Sequence, residues 1–204
     1  AGVLTGFYTF DKKDVLLLEN PTNGKITKTL DSLEIIITPK DNLLIFYAGH
    51  GNWDEKRSIG YWLPSDAAAR TYDNCLMNSR ITTFVSESKA RHTLVIADAC
   101  FGGSIFRTRA LPPEEVKSIS EMYLKTSKKA MTSGDLMEVP DESVFVKTFL
   151  DLLTANKENY LPTEKLFFNI KPSVVKEADL IPQFGTIKNA GDQGGDFIFF
   201  RKNN

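Results

Sequence analysis

Short apolar runs alternate with amphipathic stretches along this chain, a pattern typical of an α/β domain with a largely parallel sheet. The clearest strand signals are the continuous apolar runs Leu43–Ala48 and Thr93–Ala97. The first of these is expected to be covered on both faces of the sheet, because it has no polar alternation. Weaker strand signals are Val15–Leu18, Lys129–Gly134 and the closing run Phe197–Phe200.

Apolar residues at helical spacing predict the helices that would cover this sheet. They fall into four groups: Ile26, Leu30 and Leu33; Ile81, Phe84 and Val85 after a possible cap at Asn78; Phe145, Phe149 and Leu153; and Leu166, Phe167 and Ile170. A further helix is expected to begin at Pro112. The sequence shows no internal repeat and no Pro/Gly-rich linker, so we expect one domain over residues 1–204.

Composition narrows the function classes. The 25 Lys and Arg nearly balance 26 Asp and Glu, which disfavours a nucleic-acid protein held by a broad basic face. No apolar run reaches the ~18 residues that a membrane span needs, and the start of the chain shows no signal-peptide pattern. We therefore expect a cytoplasmic protein with neither a nucleic-acid nor a membrane partner.

Cysteine and histidine are scarce, with two residues of each. Two cysteines cannot form a disulfide framework, and a four-ligand zinc site is hard to build from this set. One of each follows a predicted strand: His50 after Leu43–Ala48, and Cys100 after Thr93–Ala97. Neighbouring parallel strands end at the same sheet edge, so His50 and Cys100 are expected to meet there. An imidazole beside a thiol can remove its proton, which makes Cys100 a candidate nucleophile.

The glycines beside these two residues support the same interpretation. Gly49 and Gly51 flank the histidine, and Gly102 and Gly103 follow the cysteine, so the backbone can turn sharply and approach a substrate. The N–H groups of Gly51 and Cys100 are natural donors for an oxyanion hole. A lone cysteine at a strand end is more often a small core residue, and the paired histidine is what favours catalysis here. Cys75 and His92 have no such context: Cys75 is interpreted as structural or simply exposed, and His92 as an ordinary surface or strand-start histidine.

The order of these blocks identifies a family resemblance. Asp98-Ala99-Cys100-Phe101-Gly102 follows the Tyr47-Ala48-Gly49-His50-Gly51 block by the interval of about 50 residues seen in caspase signatures. With the later blocks Ala130–Gly134 and Gly194–Phe197, the chain resembles caspase-like peptidases of the metacaspase and paracaspase branch, bacterial members above all. This resemblance implies a caspase-like fold: a central, mostly parallel β-sheet flanked by helices on both faces. It also implies a cysteine endopeptidase that works through a thioester acyl-enzyme.

Asp98 carries the expected specificity. In caspases proper a Gln stands two residues before the cysteine, whereas metacaspases and paracaspases have an Asp there that pairs with Arg or Lys of the substrate. A carboxylate at a pocket floor selects a cation, because a buried unpaired charge is costly. The resemblance therefore predicts protein or peptide substrates cut after Arg or Lys. Asp98 could instead satisfy backbone donors in the loops. Asp66 and Asp135 are interpreted as turn or capping residues.

Three further expectations follow from the resemblance. Arg107 and Arg109 follow the catalytic strand in a loop where relatives are often cut, so they, or Lys128 and Lys129, are candidate self-cleavage sites.

No cofactor or metal is expected; some relatives need calcium, but the acidic pair at 54–55 is too small for that site. The chain enters near the end of the family's first helix, so we expect the family's first strand either to be missing or to belong to a separate segment. Relatives often carry regulatory modules and respond to a signal.

Two alternatives to this peptidase remain open. One is a catalytically quiet caspase-like domain that serves as an interaction or oligomerisation module. The other is a CHAT-type relative with a different specificity. The retained dyad, glycines and Asp98 favour the peptidase.

Overall fold

The described part of the chain comprises six α-helices and ten strands. The computed structural model describes residues 1–68, 70–99, 106–109, 118–134 and 143–202, with residues 106–109 as backbone only. The strands are β1 (Asn42–Ala48), β2 (Gly51–Asp54), β3 (Ile59–Trp62), β4 (Leu76–Met77), β5 (His92–Asp98), β6 (Phe106–Arg109), β7 (Ser127–Thr132), β8 (Tyr160–Pro162), β9 (Gln183–Ile187) and β10 (Ile198–Phe200). The helices are α1 (Gly2–Phe7), α2 (Asn23–Ile36), α3 (Asn78–Glu87), α4 (Ile119–Leu124), α5 (Val144–Ala155) and α6 (Thr163–Ala178).

A five-stranded sheet in the order β1-β5-β7-β9-β6 forms the centre of the molecule. Strands β1, β5 and β7 are parallel, whereas β9 runs antiparallel to both of its neighbours, β7 and β6. Four of the five strands therefore point the same way, which confirms the expected mostly parallel sheet. Two small antiparallel sheets, β2-β3-β4 and β8-β10, lie outside it.

Helices cover both faces of the central sheet, and β5 shows why. All seven residues of β5 are buried, and successive side chains point to opposite faces. Leu94 and Ile96 belong to a hydrophobic cluster with α5 and α6. Val95 and Ala97 belong to a second cluster with α2 and α3. The apolar middle of β5, residues 94–97, thus supplies a core on each side of the sheet.

Helix ends follow local capping chemistry. The Thr22 side chain accepts a hydrogen bond from Lys25 N at 3.2 Å, and Asp66 Oδ1 accepts one from Asn23 N at 2.8 Å, so both satisfy donors at the start of α2. Ser143 caps α5 by accepting from Val146 N at 3.1 Å. Asp66 is therefore a structural residue, as expected; Asp135 lies outside the described residues.

Two strand predictions need correction. Val15–Leu18 forms no strand: it follows a short 3-10 turn, and Leu16 and Leu17 are 60% and 69% exposed, with no partner strand among the described residues. Strand β1 forms where predicted and packs against the hydrophobic clusters on both faces, but it is only partly buried. It lies at the edge of the described sheet, beside β5 alone, and Phe46 is 43% exposed. Apolar run length does not reveal whether a strand is central or at an edge.

None of the helices in the described ranges is both long enough and apolar enough to cross a membrane.

Candidate active site

The carboxyl ends of β1 and β5 lie side by side at one edge of the sheet. Ala48 is paired with Asp98 in the parallel register, and Gly49 N donates a hydrogen bond to Asp98 O at 3.3 Å. His50 and Cys100 each follow that pair by two residues in the sequence. The histidine side chain is exposed at this edge. Cys100 lies outside the described residues, so the structure describes the site from the histidine side and from Asp98.

The main chain of His50 is held by two hydrogen bonds. Its carbonyl oxygen accepts from Leu63 N at 3.0 Å and from Tyr47 Oη at 2.7 Å. The Tyr47 ring stacks on Trp62, with ring centroids 4.3 Å apart and ring planes 25° apart. Burial raises the pKa of Tyr47 to about 12, although its hydrogen bond with Leu63 acts the other way. The phenol therefore keeps its proton, and can donate, throughout the neutral pH range.

Gly51 starts β2 with its N–H turned away from the neighbouring strand. Gly51 lies opposite Trp62, and the bond from Leu63 N to His50 O makes this a non-hydrogen-bonded pair of the antiparallel ladder. In such a pair the N–H groups point away from the partner strand, so the Gly51 N–H makes no hydrogen bond to β3. This geometry is compatible with the oxyanion role expected of Gly51. The N–H of Cys100, the second expected donor, lies outside the described residues.

Asp98 is a buried carboxylate at the end of β5. It is 7% exposed, and its Oδ1 has no hydrogen-bond partner within the described ranges. Alternation along β5 places it on the same face as Leu94 and Ile96, toward the start of α5. Burial raises the pKa of the Asp98 carboxyl, while the nearby hydroxyls of Ser133 and Ser143 act to lower it. A buried carboxylate without a cationic partner among the described residues favours binding of a cation, because pairing offsets the desolvation penalty.

Sequence reasoning assigned no role to three polar residues at this same edge. Ser133 directly follows β7, Ser143 caps α5, and Gln183 begins β9 opposite Thr132. Ser133 Oγ and Gln183 Nε2 are buried, and neither has a hydrogen-bond partner in the part of the chain that the structure describes. The position of Ser133 near the end of the strand-and-turn segment predicted at Lys129–Gly134 was a usable signal. Gln183 gave none, because β9 was not predicted.

The other cysteine and histidine lie away from this arrangement. Cys75 is buried, and burial together with Asp73 and Asp66 raises the pKa of its thiol, which disfavours the reactive thiolate. His92 lies at the amino-terminal end of β5, at the other end of the strand from Asp98. It is fully buried, and its Nε2 lies 3.1 Å from Lys125 O. Burial also lowers the pKa of His92. Both residues are buried, so His92 is a strand-start histidine rather than a surface one.

The candidate self-cleavage residues do not lie where the sequence placed them. Arg107 and Arg109 belong to β6, whose backbone pairs with β9, rather than to a loop. Lys128 and Lys129 are buried in the middle of the sheet, in β7, which disfavours cleavage there in the folded protein.

Buried partners explain why β7 tolerates two lysines. Lys128 Nζ donates to three oxygens: Ser88 O at 3.0 Å, Ala90 O at 2.9 Å and Thr93 Oγ1 at 3.2 Å. Lys129 Nζ lies 2.6 Å from Glu164 Oε1 and 3.2 Å from Asp196 Oδ1. Burial alone would lower the pKa of Lys129, but the two carboxylates raise it above its ordinary value.

The described residues contain no group of three or more His, Cys, Asp or Glu side chains arranged to hold a metal ion. Asp54, the acidic residue considered for calcium, already accepts hydrogen bonds from Arg57 N and from the Arg57 guanidinium at 3.0 and 2.8 Å. Independence from calcium stays a prediction.

The chain matches known proteins at the level of family and fold. The model of the caspase domain family (Peptidase C14) matches residues 1–190. The crystal structure of protein GSU0716 from Geobacter sulfurreducens is similar with a TM-score of 0.50 and 14% sequence identity, covering 87% of this chain and 80% of that one. At this identity the likeness concerns the fold alone. No curated protein sequence matches the chain.

Proposed function

The chain belongs to the caspase-domain family of cysteine peptidases, and from this premise we propose that it is an endopeptidase that cleaves after Arg or Lys. His50 and Cys100 form its catalytic dyad, Gly51 and Cys100 supply the oxyanion hole, and Asp98 binds the basic side chain. This specificity places it in the metacaspase and paracaspase branch of the family. Its substrates are proteins or peptides, and it needs neither an organic cofactor nor calcium.

One observation carries the specificity: the buried carboxylate of Asp98, with Oδ1 unpartnered among the described residues, lies beside the strand end that presents His50. An Arg or Lys side chain of the substrate would supply the missing partner. An acidic side chain would instead meet a like charge in a desolvated place, which is strongly unfavourable. The serine hydroxyls beside Asp98 are neutral, so they do not cancel the negative charge that a substrate cation would pair with.

The proposed reaction proceeds in two stages. His50 removes the Cys100 proton, and the thiolate attacks the carbonyl carbon that follows the basic side chain. The N–H groups of Gly51 and Cys100 stabilise the resulting oxyanion. His50 then protonates the departing amine, which leaves a thioester on Cys100. Finally His50 takes a proton from water, the hydroxide attacks the thioester, and the carboxylic acid product leaves as the thiol is restored.

A specificity panel tests the role of Asp98. Wild type should cleave fluorogenic peptides ending in Arg or Lys and leave matched Asp peptides intact. Removing one partner of a buried charge pair costs about 2–4 kcal/mol, so Asp98→Ala should lower kcat/KM for Arg peptides by roughly 30- to 1000-fold. Asp98→Asn, which keeps the shape and removes the charge, is the matched control. Preference of wild type for Asp peptides would disprove the assignment.

A thiol-reactive probe distinguishes the peptidase from a catalytically quiet interaction module. An Arg-containing acyloxymethyl ketone should label wild type and Cys75→Ala but not Cys100→Ala. The chain has no other cysteine, so this pair of variants accounts for every thiol. Equal labelling of Cys100→Ala would leave the quiet module as the function, whereas labelling independent of Asp98 would favour the CHAT-type alternative.

Self-processing after Arg107 or Arg109 is a further part of this proposal. Because both residues lie in β6, cleavage there requires β6 to separate from β9. Intact mass should show fragments for active enzyme, and none for Cys100→Ala incubated alone. Identical masses for the two proteins would exclude self-cleavage.

A further inference from the structure

We propose that Tyr47 is a positioning residue for His50, acting through the hydrogen bond from its phenol hydroxyl to the His50 carbonyl oxygen. This inference rests on the proposed function, in which His50 is the general base. It assigns to a residue of β1 a role that neither the sequence motif nor the family match assigns.

The hydrogen bonds form a closed triangle around the His50 carbonyl. Tyr47 Oη donates to His50 O at 2.7 Å, and Leu63 N lies 3.0 Å from His50 O and 3.2 Å from Tyr47 Oη. Each of the three groups therefore contacts the other two. The backbone of His50 cannot move away from β3 without breaking contacts to both Tyr47 and Leu63.

The phenol is itself held at both ends. The Tyr47 backbone is paired with Ala97 in the central sheet, whereas its ring stacks on Trp62, which is 3% exposed, in β3 of the small sheet. The hydroxyl consequently has a defined position relative to both sheets. This rigidity is what allows one hydrogen bond to orient a loop residue.

Gly49 makes the approach possible. A Cβ built on Gly49 would lie 2.9 Å from Tyr47 Oη and 3.1 Å from Tyr47 Cζ, closer than ordinary contacts. The chain between Tyr47 and His50 therefore folds back over the phenol only because residue 49 has no side chain. The glycine before the histidine serves the Tyr47 contact, independently of any approach to substrate.

His50 needs such support because of its surroundings. Its side chain is exposed, and within the described residues no carboxylate or carbonyl hydrogen-bonds its imidazole. Many catalytic histidines are oriented by a third side chain. Here the restraint acts on the backbone of the histidine, and it fixes the Cα from which the ring extends.

Tyr47→Phe removes the hydroxyl and keeps the ring on Trp62. Because small displacements of a catalytic group can cost up to ~100-fold in rate, we expect kcat on an Arg peptide to fall about 10- to 100-fold with KM within about twofold of wild type. Tyr61→Phe is the matched control: Tyr61 lies in β3 and stacks on Tyr72, with ring centroids 4.6 Å apart, and its loss of a hydroxyl should leave both constants unchanged. Unchanged kcat in Tyr47→Phe would overturn the proposal.

A second measurement does not depend on activity. The chain has only His50 and His92, so imidazole-labelled Cys100→Ala protein should give two sets of histidine NMR signals. Adding Tyr47→Phe should shift and broaden the His50 signals and leave those of buried His92 in place, whereas adding Tyr61→Phe should move neither. Unmoved His50 signals, or equal shifts at both histidines, would overturn the proposal. Because these signals need no turnover, they decide it even if the proposed peptidase activity fails.

Gly49→Ala provides a third arm. It should lower kcat as Tyr47→Phe does, and the double variant should lose no more than the more impaired single variant, because both act on one hydrogen bond. Fully multiplicative losses would show that Gly49 acts independently of Tyr47.

Discussion

At the scale of single residues, two polar side chains near the carboxyl ends of β1 and β5, Asp98 and Tyr47, differ sharply in their hydrogen bonding. Asp98 is a carboxylate without a full set of partners in the described residues, and Tyr47 is a half-buried phenol held in a closed set of hydrogen bonds. In the proposed function the first binds the substrate cation and the second fixes the general base. Their environments explain these roles: an underpaired charge attracts a ligand, and a fully satisfied hydroxyl makes a rigid support.

We predict that binding of an arginine peptide is linked to protonation of Asp98. Burial raises the pKa of the free carboxyl, and a bound guanidinium would lower it, so affinity should fall as pH decreases through the raised pKa. Near that pH, binding should release protons, because the free protein holds more protons than the complex. Calorimetry of Cys100→Ala with a peptide ending in Arg, from pH 7 down to about 4 in buffers of different ionisation enthalpy, measures both effects.

Asp98→Asn is the control for this linkage, since it cannot titrate. It should bind weakly, with neither the acid loss of affinity nor the proton release that wild-type Asp98 shows. The same pH dependence in both proteins would assign the titration to another group.

At the scale of elements, tight backbone approaches connect segments that are distant in the sequence. Gly195 N donates to Thr126 O at 3.2 Å, and a Cβ on Gly195 would lie only 2.0 Å from Lys125 O. The same Lys125 carbonyl lies beside His92 Nε2 at the start of β5. The loop before β10 is therefore fitted against the turn that leads from α4 into β7.

Two alanine substitutions at glycines should have opposite effects on stability. Gly195→Ala should lower the free energy of unfolding by about 1–3 kcal/mol, because main-chain atoms must move to admit the Cβ. Gly24→Ala is the matched comparison: Gly24 lies in the first turn of α2 with no atom within 4 Å of its built Cβ, so alanine should stabilise by up to about 1 kcal/mol. Urea unfolding of both variants measures the difference. Wild-type stability of Gly195→Ala would contradict the close approach.

At the scale of the whole molecule, β5 is shared by two hydrophobic clusters. Its odd- and even-numbered residues pack on opposite faces, so neither cluster is complete without this strand. The buried Lys129, with Glu164 and Asp196, adds a polar connection between β7, α6 and the segment before β10. This construction favours cooperative unfolding, and a single domain stays a prediction.

Cooperativity can be tested with the two tryptophans, Trp53 and Trp62, which lie in β2 and β3. Leu94 packs on the other face of the sheet, with α5 and α6. Leu94→Ala should lower the free energy of unfolding by about 2–5 kcal/mol and shift tryptophan fluorescence and far-UV circular dichroism curves together. A fluorescence transition that stays in place while the dichroism transition moves would show that the two faces unfold separately.

Features that depend on one segment of the chain could be predicted from the sequence, whereas features that depend on contacts between segments could not. Periodic apolar positions predicted α2, α3, α5 and α6, and the apolar runs predicted β1 and β5, since helix and strand patterns are written within single segments. The strand predicted at Val15–Leu18 was wrong, because an apolar run forms a strand only when a partner strand lies beside it. The position of β1 at the described edge was missed for the same reason, since strand order is a property of the whole sheet.

The sequence by itself determined the fold class, the placement of His50 after a strand beside glycines, and the motif in which Asp98 precedes Cys100, because each is a pattern of neighbouring residues. The tertiary structure alone decided that Asp98 is buried without a full set of partners among the described residues, and that Ser133 and Ser143 lie beside it. It also decided that Tyr47 and Leu63 hold the His50 carbonyl. These features arise from strand register and packing between distant segments, and hydrogen bonds across them exist only once the two sheets have come together.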